Sequence, residues 1–293
     1  MATLIPESGS PNVTRSPAAL PPVAGAILRE PLALIGLMMV LTYVVLALVV
    51  EWLPLRDPLQ LSTHRLAAPS VEFPFGTDAL GRDLLSRILF GARLSVQVAV
   101  VSVAIAAAVG GVLGLVSGFL GGIADLSIGR VLDVFFAFPA ILLALGIVAA
   151  LGPDPTNVII AIAVVYTPIF ARVVRGPVLA LKERDFVEAA RAVGATQTRI
   201  VARHIVPNLM STLIVQVSLA LSWAVLTEGA LSFLGLSAQP PAPSWGVMLS
   251  EGRQYLEFAT HLALFPGMAI MVAVLGFNLL GDGLRDALDP QRR

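Results

Sequence analysis

The sequence predicts an all-α integral membrane protein with six transmembrane helices and both termini on the cytoplasmic side. Three observations predict it: charge is scarce, apolar residues run in blocks of helix length, and basic residues crowd one set of connecting segments. Of the 293 residues, 57% are hydrophobic and only 13% are charged, whereas a water-soluble domain carries about 25% charged residues. Most of the surface therefore does not face water. The 19 basic and 19 acidic residues balance, which leaves no net basic field to favour nucleic acid. Cysteine is absent, excluding a disulfide framework and any Cys-based zinc or iron–sulfur site. The three histidines, His64, His204 and His261, lie too far apart in sequence for a metal motif.

Residues 1–30 differ from the rest. TLIPESGSPNVTRSPAALPP is rich in Pro and Ser and has no apolar period. Such a composition cannot bury enough surface to offset ordering entropy, so the expectation is a flexible cytoplasmic tail. No cationic segment leads directly into an apolar core near the start, which argues against a signal peptide. The remaining residues, 31–293, read as one transmembrane domain. A hydrocarbon core of about 30 Å needs about 20 apolar residues in a helix. The predicted spans are 32–50, 94–117, 131–151, 158–174, 209–236 and 262–280, with outer loops at about 51–93 and 237–258 and an inner loop at about 175–208. The fourth is the weakest, being short and containing Pro168 and Arg172. Pro139, Pro168 and Pro266 are tolerable in spans whose neighbours satisfy the freed backbone groups.

Orientation follows from Lys and Arg placement. With the N-terminus inside, 13 basic residues fall on inner segments (among them Arg130, Arg172, Arg175, Arg191, Arg199 and Arg203) and 6 on outer ones. Within the spans, glycines 110, 114, 118 and 122 recur every four residues and share one helix face. Small residues at that spacing let helix backbones approach closely, either inside one subunit or against a partner. Asp133 stands three residues from Arg130, the spacing of a helical ion pair. Glu228 lies about 28 Å along the fifth span from Leu209, near the outer interface, where it either lines a vestibule or caps the PSWG loop. Gln216, Ser218, Ser222 and Glu228 are the candidates for lining a pathway, because polar groups inside a membrane mark such routes.

The polar stretch EAARAVGATQTRIVARHIVPN, residues 188–208, faces the cytoplasm in this topology. Asp185 and Glu188 have capping-box spacing. Ala189, Ala190 and Ala192 favour helix, and Gly194 is placed to end it with positive φ. Thr196 can cap a second short helix, whose Ile200, Ile205 and Val206 lie off the Arg199/Arg203 face. By periodicity alone this is equally an amphipathic loop lying on the anionic inner leaflet.

Glu188-Ala189-Ala190, then Gly194, then Ile205-Val206-Pro207 resembles the EAA loop of ATP-binding-cassette (ABC) importer permeases. FGTDALGRDLLSRILFGAR (75–93), SFLGLSAQPPAPSWGVML (232–249) and NLLGDGLRDALDP (278–290) are similar to the C-type permease of dipeptide, oligopeptide and nickel importers. The likeness runs from about residue 25 to the C-terminus. One departure is AQPPAP after Ser237, where the family's GLG turn has a further glycine.

The resemblance implies a type I importer permease fold in a bacterial inner membrane, with no catalytic residues and no cofactor or metal on this chain. It implies a coupling loop in which Glu188, Ala189, Ala190, Gly194, Ala195, Arg199, Ile205 and Pro207 contact a cytosolic ATPase. It also implies partners: a homologous B-type permease, two ABC ATPase subunits carrying ATP and Mg, an extracytoplasmic substrate-binding protein, and the lipid bilayer. The chain has no G-x-x-x-x-G-K-[ST] phosphate cradle, so ATP hydrolysis falls to another polypeptide. On the outer side, Asp78, Arg82, Asp83, Ser244 and Trp245 are candidates for the surface that receives the binding protein. Thr77, Asp78 and Asp83 are alternatively helix-capping and packing residues, and Trp245 an interfacial anchor. Two other classes compete. An ion-gradient-driven secondary transporter would show internal repeats and mid-membrane ion pairs, and an intramembrane hydrolase would show a catalytic set such as H-E-x-x-H; neither pattern is evident in the sequence.

Overall fold

The computed structural model describes residues 30–288, so the expected tail lies almost wholly outside the described residues. Among the described residues the regular secondary structure is helical, with a single isolated bridge between Thr77 and Asp83, and residues 53–83 and 234–244 form non-helical connections. The long helices are α1 (Pro31–Val49), α2 (Leu84–Leu120), α5 (Pro155–Lys182), α8 (Val206–Phe233) and α10 (His261–Leu288). Shorter ones are α3 (Gly122–Phe136), α4 (Ala140–Leu151), α6 (Asp185–Ala192), α7 (Gln197–Ile200) and α9 (Trp245–Gly252). Five are long and apolar enough to cross a bilayer, and the α3–α4 pair makes a sixth if it is counted as one span.

That pair corrects the third predicted span. Residues 131–151 are not one helix: the chain bends by 86° between Phe136 and Ala140. The cause is Pro139, which occupies the N-cap of α4. Proline lacks an N–H, and it pushes the residue before it out of the helical region. Pro168, Pro177 and Pro266 sit instead inside continuous helices. The second span is also longer than its apolar core suggests. Asp83 caps α2, its side chain accepting from Ser86 N at 2.9 Å, and so the helix begins well before the apolar run at 94. At 37 residues it extends about 55 Å, well beyond a hydrocarbon core of about 30 Å.

The most extensive helix contact is between α2 and α5, followed by α1 with α10 and α8 with α10. The α2–α5 seam is set by three glycines. A Cβ on Gly110 would stand 2.4 Å from Thr167 O, and one on Gly114 2.3 Å from Ala171 O. One on Gly118 would meet the Val178 side chain at 2.9 Å. The stripe is therefore internal packing, and Gly122 is not part of it: nothing lies within 4 Å of its Cβ position. Gly121 (φ +68°) and Gly122 (φ +54°) instead turn the chain from α2 into α3 through two successive left-handed residues, a conformation glycine adopts without steric cost.

The cytoplasmic end of the seam is cross-braced. Arg175 of α5 donates from Nε and Nη2 to the two carboxylate oxygens of Asp125 on α3, both at 2.6 Å. Ser117 of α2 donates to the same carboxylate, and Lys182 Nζ donates to Gly118 O at 3.1 Å. Asp133 pairs with Arg172 of α5 at 3.3 Å rather than with Arg130, because the α3 backbone lies alongside α5 and offers a partner across the interface. Arg172 also sits over the Phe136 ring at 3.8 Å.

The seam yields a paired test. Gly114→Val should abolish recovery of monodisperse protein, because its Cβ meets backbone that cannot move aside. Gly111→Ala, on the open side of the same helix, should behave as wild type. Fluorescence-detected size exclusion in detergent measures both, and equal recovery of the two variants would refute the seam.

Candidate functional site

The loop after α5 turns back through α6, α7 and a π-helical stretch, Val201–Ile205, into α8. Two residues, Glu183 and Arg184, link α5 to α6, and that short link decides the start of α6. Arg184 takes the N-cap with no side-chain cap bond. The capping box expected from Asp185 and Glu188 is thus not formed: Asp185 is already the first helical residue. Both carboxylates remain exposed in the first turn, where the helix dipole favours negative charge.

The end of α6 is a Schellman turn. Ala195 N donates to Ala190 O at 3.0 Å and Gly194 N to Arg191 O at 2.9 Å, with Gly194 at φ +83°. These bonds satisfy carbonyls that a helix end otherwise leaves open. Thr196 then caps α7, its hydroxyl accepting from Arg199 N at 3.4 Å.

One stripe of the loop points inward. Val187, Ala190, Ile200, Ile205 and Leu209 are buried together with Val174 and Val178 of α5, and Leu115 and Phe119 of α2 pack against them. The loop is thus seated on the cytoplasmic end of the α2–α5 seam. Glu188, Ala189, Arg191, Gly194, Arg199 and Pro207 are exposed, while Ala195 is half-buried and Ile205 fully buried. Ile205 therefore supports the loop from beneath and offers nothing to a partner.

Sequence reasoning passed over two residues here. Phe186 is 41% exposed and Val193 is 85% exposed. With Ala189 they form a second apolar stripe at i, i+3 and i+7, one residue out of phase with the buried stripe. That spacing marks one helix face, and was legible once both phases of α6 and its C-cap residue Val193 were counted. The outer surface of α6 therefore presents apolar side chains beside Asp185, Glu188 and Arg191 in a compact, rigid turn.

The pathway candidates divide. Gln216 lines a mostly apolar cleft of about 620 Å³ together with Ile141, Tyr166, Phe170, Trp223 and Thr227. Tyr166 OH and Thr227 Oγ1 share a hydrogen bond of 3.0 Å across it. Ser218, Ser222 and Glu228 are buried on other faces of α8 and do not line the cleft. Ser218 donates to Ile214 O at 3.1 Å and Ser222 to Val274 O of α10 at 3.2 Å. Glu228 accepts from Ser95 Oγ of α2 at 2.8 Å and from Ser237 Oγ at 3.3 Å. Its role is to tie α8, α2 and the outer loop together.

The outer candidates are likewise internal. Asp78, Arg82, Asp83, Ser244 and Trp245 are all under 9% exposed, so they cannot form a contact surface for another protein. Trp245 is no interfacial anchor either: its Nε1 donates to Ile88 O of α2 at 2.9 Å, and its ring meets Tyr43 edge-on at 5.2 Å. Ser244 bonds Ser232. Asp78 holds its own loop, accepting from Leu80 N at 2.8 Å, Arg82 N at 2.9 Å and Arg82 Nε at 2.6 Å. Burial has a plain cause: polar side chains next to a membrane find partners inside the protein and none in lipid.

Residues 110–293 match the model of the family described as binding-protein-dependent transport system inner membrane components. The chain is 44% identical over 294 residues to the dipeptide transport system permease protein DppC of Alkalihalophilus pseudofirmus, covering 99% of this chain and 97% of that one. It is 48% identical over 223 residues to the glutathione transport system permease protein GsiD of Pectobacterium atrosepticum, covering 76% and 74%. A putative peptide transport system permease of Brucella suis is 42% identical over 282 residues, covering 96% and 94%. Among solved structures, a chain of the MetNI methionine ABC transporter in inward-facing conformations superposes with a TM-score of 0.56 at 20% identity, covering 70% of this chain and 98% of that one. An amino acid ABC transporter gives 0.54 at 16% identity, with 69% and 94% covered. The folds agree, and so do the sequences: this chain belongs to the family of inner membrane components of binding-protein-dependent transport systems, the permease subunits of ABC importers.

Proposed function

We propose that this chain forms half of the membrane pathway of an ATP-driven importer for short peptides or glutathione-like solutes, and that residues 185–208 are the contact through which separate ATPases drive it. The observation that carries the coupling reading is the exposed stripe Phe186, Ala189 and Val193 on a turn seated on the α2–α5 seam. A force applied to that turn acts on the ends of two packed helices, where a floppy loop would absorb it. Small Ala189 and the bare Gly194, with nothing within 4 Å of its Cβ position, allow a groove wall to approach closely. The peptide class rests on the names of the similar permeases. The other half of the pathway is a B-type permease, the energy source two ATPase subunits using ATP and Mg, and the supplier of substrate an extracytoplasmic binding protein. The cleft containing Gln216, Tyr166, Trp223 and Thr227 is the face of this chain best suited to the pathway.

Val193→Glu tests the coupling reading. The side chain is solvated, so the fold should hold, and thermal unfolding should shift by less than about 0.5 kcal/mol. Uptake of a radiolabelled dipeptide into vesicles should fall at least about ten-fold, with ATPase subunits lost on co-purification. Wild-type uptake and retained ATPase would overturn it. Ile200→Asp is the structural counterpart: a buried, unpaired charge should cost about 3–5 kcal/mol and remove the loop with the fold around it, whereas Arg199→Gln should leave stability unchanged. Because the chain contains no cysteine, Arg199→Cys gives a clean topology probe. An impermeant thiol reagent should label it in inside-out vesicles and not in intact cells; labelling from outside would reverse the orientation.

A further inference from the structure

The end of the bundle opposite the coupling loop holds a polar site that the transport reading does not use. Between the segment preceding α2, α9 and the start of α10 lies a cavity of about 160 Å³, lined by Asp78, Arg82, Arg87, Glu251, Gln254 and Tyr255 among others. Arg87 is 1% exposed, and its Nε and Nη1 have no hydrogen-bond partner. Its ion-pair neighbours stand off, Asp78 Oδ2 at 3.5 Å from Nε and Glu251 Oε2 at 3.6 Å from Nη2. Arg82 Nη2 is also 3.6 Å from Glu251 Oε2. Asp78 has little left to offer, because its oxygens already accept from two backbone N–H groups and from Arg82 Nε. Two guanidinium groups therefore share one loosely held carboxylate, Glu251, whose side chain is 37% exposed.

A buried guanidinium is ordinarily matched by forked N–H···O bonds to a planar oxyanion. The cavity is smaller than the roughly 300–1,000 Å³ that whole drug-sized ligands occupy, yet it holds several water-sized groups. Its size and donors suit a single carboxylate group. The charges of Asp78 and Glu251 balance those of the two arginines, so an incoming carboxylate must displace one acid, and Glu251, part-exposed and 3.6 Å from each arginine, is the less firmly held. We propose that this outer pocket binds a carboxylate between Arg82 and Arg87, with Glu251 as the internal competitor at its mouth. The carboxylate comes either from a free small acid or from the C-terminus of a short peptide.

The test is a titration of the full-length chain, purified in nanodiscs with its co-expressed partner subunits. Sodium acetate and dialanine are the probes, and acetamide and dialanine amide the carboxylate-free controls at matched ionic strength. Both the thermal midpoint and the half-saturating concentration are read. Acetate should raise the midpoint if free acids are the ligand, and dialanine alone should do so if peptide termini are; the amides should do neither. Glu251→Gln removes the competitor at a partly exposed position and should lower the half-saturating concentration about three-fold, the scale of one weakly held ion pair. Arg87→Gln should abolish the response; it risks the fold, so the comparison with Glu251→Gln decides. Absence of any carboxylate-dependent shift overturns the proposal, as does a response that Glu251→Gln leaves unchanged or weakens. The coupling reading stands or falls separately, since Val193→Glu should leave the half-saturating carboxylate concentration unaltered even where loss of the ATPase subunits moves the starting midpoint.

Discussion

The backbone-to-backbone approach of α2 and α5 is the constraint on which the rest of the molecule depends. In a bilayer, lipid tails are as apolar as leucine, so helices gain nothing by hiding apolar side chains from their surroundings. What remains is close van der Waals contact, which grows as the axes draw together. Gly110, Gly114 and Gly118 permit this approach, and Phe170, Val174 and Val178 fill the space that results. The inner loop and the outer hydrogen-bond network are both mounted on this pair. At one end Val187, Ile200 and Ile205 seat the loop on it. At the other, Trp245 and Glu228 bond to α2 through Ile88 O and Ser95 Oγ. The long α2 is therefore a single element in contact with both the inner loop and the outer network. That continuity supplies a rigid body on which an external force can act, which a loop attached to one helix end would lack.

Much of this was legible in the sequence for physical reasons. Apolar blocks of the required length, the count of basic residues on each side and a glycine every fourth position all report on a medium without water, and each leaves a linear trace. The Schellman turn at Gly194 and the cap at Thr196 were visible because local chemistry fixes them. The errors share a different cause. Asp133 was assigned to Arg130 on spacing, but its partner is Arg172, 39 residues away, and no periodicity encodes a partner on another helix. The break at Pro139 was missed because proline inside a span is ambiguous: Pro168 and Pro266 ride within helices packed on several sides, while Pro139 stands in an exposed stretch with no neighbour to hold the helix straight.

The outer residues show the same limit more sharply. Arg82 and Ser244 read as surface because charged and hydroxyl side chains in a glycine-rich loop usually are, whereas Asp78 and Asp83 read either as surface or as capping and packing residues, and the second reading holds. Here the loop folds onto the head of α2, and each group is used inward: Asp83 as a cap, Asp78 as a loop brace, Ser244 against Ser232. Glu228 bonds to Ser95 and to Ser237 of the outer loop, and its burial among serines reflects the cost of leaving a carboxylate without donors. Polarity in the sequence thus located the site of the network without revealing which way its members point.

Direction also separates the two readings of the cytoplasmic loop. A helix lying on the inner leaflet buries its apolar face in lipid and turns basic residues toward headgroups. The apolar face of residues 187–205 is already occupied by the ends of α2 and α5, so it is not available to lipid. What the loop turns outward is Phe186, Ala189 and Val193, set among Asp185, Glu188, Arg191 and Arg199, charges of both signs. A protein groove with apolar walls and basic residues at its edge accommodates that surface, and the rigid Schellman turn fixes its shape before the partner arrives. Preorganisation of this kind lowers the ordering cost of association. Under the proposed coupling role, the loop's polarity, which singles it out in so apolar a chain, forms the rim of an apolar contact.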